Sequence, residues 1–413
     1  MKKIGLIGAL LLVLLIGASI MTGRLFDQQL HQMTEELLLD PRVELLGMQT
    51  EKGLFSSSGS QQLAMDLDGM AQLVIETRWQ TRHFPGWLTY QGDVQLLMEG
   101  AGETFNVFEE LGIQPPVYQG RADWRKATWQ MSLAPFEFQD GSLVFQTTEL
   151  QMQGVYYYSG QQQASFSVAH MTLEDKGYQA TRLDLHNLAL KMDQSGSYPW
   201  VSGDLLMSLE RAEFAGPQGQ LLINNPSWSQ QLHFDARAFD LALQLDLGEI
   251  SALGQPLASG KLALKTRDVN GQAMADLLEL MGRNPDLAQA SEADLEQAMN
   301  ALDRLLAGSP ALLLERLDFS IKAPFVVDQK AVGELAFDGR NLPVSYLQQM
   351  GEGQLDPEDL FNRIRLELTF DQIHPGLLMM VGIPPFMVDP TQPEQKLVME
   401  NGEVRLNGQL LPF

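Results

Sequence analysis

The segment Gln61-Gln62-Leu63-Ala64-Met65-Asp66-Leu67-Asp68-Gly69 decides how the rest of the chain is read. Leu63, Met65 and Leu67 alternate with Ala64, Asp66 and Asp68, and Asp68-Gly69 then offers a turn. Successive side chains on a strand point to opposite faces, so this period of two predicts a strand with one face buried. The same rhythm recurs at Ala71–Trp79, Asp93–Met98, Thr128–Leu133, Ser142–Thr147, Ser165–Leu173, Thr181–Asp193, Gly203–Phe214, Leu232–Leu247, Gly260–Thr266, Leu317–Lys322, Val332–Phe337, Arg363–Phe370 and Leu397–Leu406. Asp140-Gly141, Ser195-Gly196, Asn270-Gly271 and Asp338-Gly339 supply turn chemistry among them. The expectation is a mainly β protein: a large curved antiparallel sheet, or an elongated β-sandwich or trough. Thr181–Asp193 and Leu232–Leu247 exceed the usual strand of about five or six residues, which favours the long sheet. Asn401-Gly402 separates Lys396–Glu400 from Glu403–Leu406 and predicts a type I′ hairpin, with Asn407-Gly408 directly after it.

One region breaks the rhythm. Gln272–Met281 and Glu292–Leu306 carry helical spacing, with Leu295, Met299, Leu302, Leu305 and Leu306 on one face. Ser291 is placed to cap the second helix, with Asp294 three residues on. Residues 272–307 therefore read as a helical pair inserted between two strands, packed on a sheet face or over its end. A shorter helix is expected within Pro343–Met350.

At the amino terminus, Ile4–Met21 is free of charge and follows Lys2-Lys3. As a helix it would rise roughly 27 Å, near the thickness of a hydrocarbon core. A cleaved signal peptide and a retained anchor are both compatible with it. The length of the run and the lack of a clean Ala-x-Ala exit favour the anchor. Arg24–Asp40 continues in helical spacing without a breaker before Pro41, which suggests a helical stalk over residues 22–41. Lys2, Lys3 and the amino terminus outnumber Arg24, so residues 1–3 are expected in the cytoplasm and residues 42–413 in a β-rich periplasmic domain. The expected location is a bacterial inner membrane, crossed once by residues 4–21.

Composition removes several functions. There is no cysteine, hence no thiol nucleophile, cysteine zinc site or disulfide. A net charge of −24 opposes nucleic-acid binding, which needs clustered cations, and Arg121, Arg125 and Lys126 are the nearest thing to a cluster. Of the six histidines His31, His83, His170, His186, His233 and His374, no two have metal-ligand spacing. No Gly-x-Ser-x-Gly elbow is present, and Ser56-Ser57-Ser58-Gly59-Ser60 reads as a turn-rich start of a strand. Asp66-Leu67-Asp68-Gly69 opens like a calcium loop, yet its twelfth position is Thr77. No catalytic, metal or cofactor residue is assigned. Two apolar, proline-containing loops stand out as contact loops: His83, Phe84, Pro85 and Trp87 in the first, Met379, Met380 and Phe386 in the second.

Several stretches taken in order carry a family likeness. They are Gly53–Ser58 entering the first strand, His83-Phe84-Pro85, Leu257–Lys265 running into Asn270-Gly271 and a helix, and Gly402–Gln409 near the end. With the short basic start and the anchor, the chain resembles the YdgA-like family. That resemblance implies a Gram-negative inner-membrane-anchored periplasmic protein without an established activity, and it transfers no catalytic residue. The long strands behind one amino-terminal helix also resemble, in outline, the AsmA-like lipid-bridging proteins. The expected function is therefore non-enzymatic, through contact with proteins or other envelope components. The alternative is a lipid-binding or lipid-transfer protein with an apolar β-groove. An enzyme with a site assembled from distant residues is the third reading. Self-association is compatible with all of them.

Overall fold

The computed structural model describes residues 19–411 except 20, 25, 29, 33, 36, 37, 39–42, 68–70, 101, 102, 179, 198, 284–290, 323–325, 357, 372–391 and 393. Helix α1 occupies every described position from 19 to 35. Strands follow as β1 (Val43–Lys52), β2 (Ser56–Leu67), β3 (Ala71–Phe84), β4 (Trp87–Gly100) and β5 (Glu103–Asn106), then the short helix α2 (Val107–Glu110). Next come β6 (Val117–Asp123), β7 (Lys126–Leu133), β8 (Phe136–Asp140), β9 (Leu143–Thr147), β10 (Leu150–Tyr157), β11 (Gln161–Asp175) and β12 (Thr181–Ser197). Beyond these lie β13 (Trp200–Ser208), β14 (Arg211–Gly216), β15 (Gly219–Asn224), β16 (Ser227–Phe234), β17 (Phe239–Ala252) and β18 (Gln255–Arg267). Helices α3 (Gly271–Arg283) and α4 (Glu292–Ala307) precede β19 (Ala311–Ile321) and β20 (Val327–Phe337). The chain ends with α5 (Tyr346–Gly351), α6 (Glu358–Asn362), β21 (Ile364–Phe370), β22 (Gln395–Glu400), β23 (Glu403–Leu406) and β24 (Gln409–Leu410). The protein is mainly β, and every described strand pairing is antiparallel.

Two compact units form, Met1–Tyr178 with Asn187–Pro199, and Gln179–His186 with Trp200–Phe413. In the first, the strands lie in the order β1-β2-β3-β4-β6-β7-β10-β11-β9-β8, with β5 on the far end of β4. Two cross-strand rows alternate glycine with an aromatic ring. Gly59 pairs with Trp79, Trp79 with Gly92, and Gly92 with Tyr118. One row over, Tyr90 pairs with Gly120, Gly120 with Trp129, and Trp129 with Gly154. Each ring closes on a neighbouring glycine: a Cβ on Gly92 would stand 2.6 Å from the Tyr118 ring and 1.9 Å from the Arg78 carbonyl oxygen. The two tyrosine rings end on backbone acceptors, with the Tyr90 hydroxyl donating to Thr128 O at 2.9 Å and that of Tyr118 to Arg78 O at 3.1 Å. Burial pushes the Tyr118 hydroxyl up to about 12, so it stays protonated as a donor.

In the second unit β12, β14, β15 and β17 pair in turn, and β13-β16-β17-β18-β19-β20-β21-β22-β23-β24 form a continuous series. Asn401 and Gly402 take φ of 52° and 74°, and Asn407 and Gly408 of 51° and 81°, as the two Asn-Gly turns require. The helical pair falls between the paired strands β18 and β19, as expected of an insertion. Ser291 caps α4 through a reciprocal box with Asp294.

Two expected strands are corrected. Gly203–Phe214 is broken at Leu209–Glu210 into β13 and β14, and Leu232–Leu247 is broken at Asp235–Ala238 into β16 and β17. The second break is made by the Asp235 carboxylate, which accepts from the N–H groups of Arg237 at 2.7 Å and Ala238 at 2.9 Å. A turn closed by one aspartate needs neither glycine nor proline, so the alternation runs through it unmarked. The expected apolar face of α4 is corrected too: Leu295 and Leu302 are more than a third exposed, and the buried residue is Ala301. Among the described residues no helix is long and apolar enough to cross a membrane. The segment 4–21 expected as the anchor lies outside the described residues except for Ser19 and Met21, and the loop 376–390 with Met379, Met380 and Phe386 lies outside them entirely.

Candidate functional site

Of the residues 22–41 expected as a stalk, the described ones up to 35 belong to α1, which lies against the sheet of the first unit. Its seat is built from small and polar groups. Gly23 rests directly on His83, where a Cβ would come within 2.4 Å of the imidazole Cε1. Phe26 faces Tyr90 with ring centroids 5.9 Å apart, and Gln61 Nε2 donates to Thr34 Oγ1 at 3.0 Å. Lys52 reaches from β1 to the Asp27 carboxylate at 2.7 Å.

Beneath the helix, β2 and β3 bring three side chains of one face together. Ser57 and Thr81 hydroxyls are 2.7 Å apart, and His83 Nε2 lies 3.2 Å from Ser57 Oγ and 2.8 Å from Thr81 Oγ1. Ser57, Thr81, His83 and Asp27 are all buried. Among the described residues His83 Nδ1 and Asp27 Oδ1 have no hydrogen-bond partner. Burial lowers the His83 pKa, and the Asp27 charge partly opposes that. A hydroxyl–imidazole pair is the raw material of nucleophilic catalysis, but here both groups are closed to substrate while the helix is seated.

The expected contact loop is therefore divided. His83 points inward under α1, whereas Phe84 and Pro85 are exposed and Phe84 stacks on Trp87 at 4.1 Å. Sequence reasoning missed Asp27, Ser57 and Thr81 as members of the cluster. Asp27 and Ser57 lie 56 and 26 residues from His83, Thr81 lies two residues from it on an ordinary-looking strand, and only Gly23, a glycine inside a helix, hinted at a close approach.

The second unit presents a different surface. Residues directly opposite each other in an antiparallel pair share a face. Followed from strand to strand, the registers place Met207, Trp228, Leu245, Leu262, Leu317 and Ala331 in one row. Two residues along, Leu243, Leu264, Leu314, Gly333, Leu368, Leu397 and Leu406 form another. A β-bulge at Glu315-Arg316 keeps Leu312, Leu314 and Leu317 on this one face. Met207, Leu245, Leu247, Leu312 and Leu335 on it are each more than a third exposed. The reverse face carries charge, with ion pairs Lys261–Asp246 at 2.8 Å, Arg316–Asp318 at 2.7 Å and Lys396–Glu367 at 2.6 Å. The sheet is thus amphipathic, with an apolar face left partly open.

The helical layer of this unit is pinned by polar contacts. Arg304 pairs with Asp276 between the two helices, and the Leu347 N–H donates to Asp303 at 3.0 Å. Arg363 holds Asp359 at 2.7 Å and donates to the carbonyls of Asp338 and Arg340, with its guanidinium 5.6 Å from the buried Tyr346 ring. Among the described residues no group of three acidic or histidine side chains could hold a metal ion.

No curated protein and no solved structure matches the chain. A family model does match it over residues 1–324, which takes in the whole first unit, β13 to β18, both inserted helices and β19. On that match the chain belongs to the family described as bacterial protein of unknown function, DUF945.

Proposed function

We propose that this protein works by binding rather than by catalysis, and that the open leucine face of the second unit is its binding surface for acyl chains. The observation that carries this reading is the amphipathic register: one face apolar across strand after strand and partly exposed, the other laced with ion pairs. Large exposed apolar patches on soluble surfaces mark interaction sites. An acyl chain laid on such a face gains about 0.8 kcal/mol for each CH₂ it removes from water. In this reading residues 4–21 hold the protein in the inner membrane and the two units work on the periplasmic side. The helical pair of the same unit also leaves Leu278, Met281, Leu295 and Leu302 more than a third exposed.

The test is photo-crosslinking in cells from p-benzoylphenylalanine at Leu245 or Leu335, with Gln244 on the opposite face as control. A phospholipid adduct from the two leucine positions and none from Gln244 is the expected result. A discrete protein adduct would instead favour the contact-with-proteins reading. Absence of any adduct specific to the leucine face would end the proposal.

A further inference from the structure

The hairpins of the first unit place four turns at one end of its sheet: β1 to β2 at residues 53–55, β3 to β4 at 85–86, β6 to β7 at 124–125 and β10 to β11 at 158–160. That end differs from the rest of an acidic chain. Leu54 is 63% exposed, Phe55 50% and Trp124 65%, with Phe84 stacked on Trp87 beside them. Cations are interleaved with these rings. Arg121 lies 4.3 Å from the Trp87 centroid and Arg125 3.9 Å from that of Trp124. On these hairpin ends and the first turns of α1, Arg24, Lys52, Arg82, Arg121, Arg125 and Lys126 stand against Asp27, Glu51 and Asp123, in a chain of net charge −24. Asp193 sits beside Gln161 and Gln163 at the outer edge.

Helix α1 starts at the same end. The Gly86 N–H donates to Thr22 Oγ1 at 3.1 Å, Gly23 rests on His83, and Thr34 meets Gln61 further along β2. The helix therefore runs inward from the hairpin tips, and whatever precedes residue 19 joins the protein at the tips. In sequence that is the uncharged run beginning at Ile4.

From this the geometry points to a membrane-resting surface: the four hairpin tips of the first unit lie on a phospholipid bilayer bearing anionic headgroups. Exposed Trp and Phe with Arg and Lys between them are the side chains that settle at a bilayer interface bearing anionic lipid. Each cation near an anionic surface strengthens such contact roughly fivefold. The seated helix fixes the direction, because it delivers the apolar run at the tips and nowhere else. The inference rests on residues 4–21 being the anchor, and it is independent of the leucine face of the second unit.

The chain has no cysteine, so single cysteines can carry a fluorophore without background. Full-length protein with Leu54→Cys, Trp124→Cys or Asp140→Cys would be labelled with NBD and reconstituted into vesicles of phosphatidylethanolamine and phosphatidylglycerol. Asp140 is at the β8–β9 turn, at the opposite end of the sheet. The expected result is a blue-shifted emission at 54 and 124, quenched by lipid-borne nitroxide, with a water-like unquenched signal at 140. Combining Arg121→Gln with Arg125→Gln should weaken the quenching at 54 by about tenfold or more. Protein that enters the vesicles but shows water-like signals at both tip positions overturns the surface while leaving the anchor in place. Protein that does not associate with the vesicles removes the anchor, and the inference with it.

Discussion

Replacing Gly23 by Ala tests the seat of α1 quantitatively. Two terms oppose each other. Inside a helix Ala is favoured over Gly by about 1 kcal/mol. Against that, the new Cβ would lie 2.4 Å from His83 Cε1 and 2.5 Å from Nδ1, and the imidazole is itself held by Ser57 and Thr81. Overpacking of this kind costs about 1–3 kcal/mol. The single substitution should therefore loosen the helix by roughly 0–2 kcal/mol, which is up to about thirtyfold in local opening. In a His83→Ala background the clash is gone and the propensity term survives, so Gly23→Ala should tighten the helix by about 1 kcal/mol, or roughly fivefold. Hydrogen exchange of peptides covering residues 19–35, read by mass spectrometry in all four proteins, gives the coupling without requiring the whole chain to unfold in two states. A coupling of about 1–3 kcal/mol is expected. A value under about 0.5 kcal/mol, the usual scatter for independent sites, would mean that the helix does not rest on His83.

Four further outcomes follow from the geometry. The His83 pKa is lowered by burial, so the unfolded or undocked state binds the proton more tightly; protection of α1 should be full above about pH 6.5 and decline as pH falls through the lowered value, and His83→Gln should flatten that profile in the same exchange experiment. Asp27, itself paired with Lys52, is the charged group acting on the imidazole, and Asp27→Asn, which removes the opposing charge, should steepen the acid loss. Gly92→Ala should cost about 3 kcal/mol or more in thermal unfolding followed by tryptophan fluorescence, and Tyr118→Ala should not rescue it, because the nearer obstacle is the backbone oxygen of Arg78. Ser291→Ala should remove about 1 kcal/mol from α4, seen as faster exchange confined to residues 292–307.

Much of the fold was legible because its signals are local. Alternation marked the strands, Asn401-Gly402 and Asn407-Gly408 marked their turns, and Ser291 with Asp294 marked the start of α4. Reading failed where a local signal was borrowed for another purpose. Asp235 makes a turn with its own carboxylate inside an unbroken alternation, and α4 buries Ala301 while its leucines stay partly exposed. The candidate site was half legible. The loop at His83 was singled out by its composition, but His83 and Phe84 point to opposite faces of β3, and which one is covered depends on where α1 lies.

By itself the sequence determined the mainly antiparallel architecture, the place of the two helices between strands, and the exclusion of cysteine chemistry. These depend on side-chain period, turn conformations and caps, each set by residues within a few positions of one another. Only the tertiary structure decided that α1 is seated on the sheet and not held clear of it, since its contacts reach from Thr22, Gly23, Phe26, Asp27 and Thr34 to partners 25 to 64 residues away. Only it decided that a bulge at Glu315-Arg316 keeps the leucines of β19 on a single face, because strand register is fixed between neighbours and not along one strand.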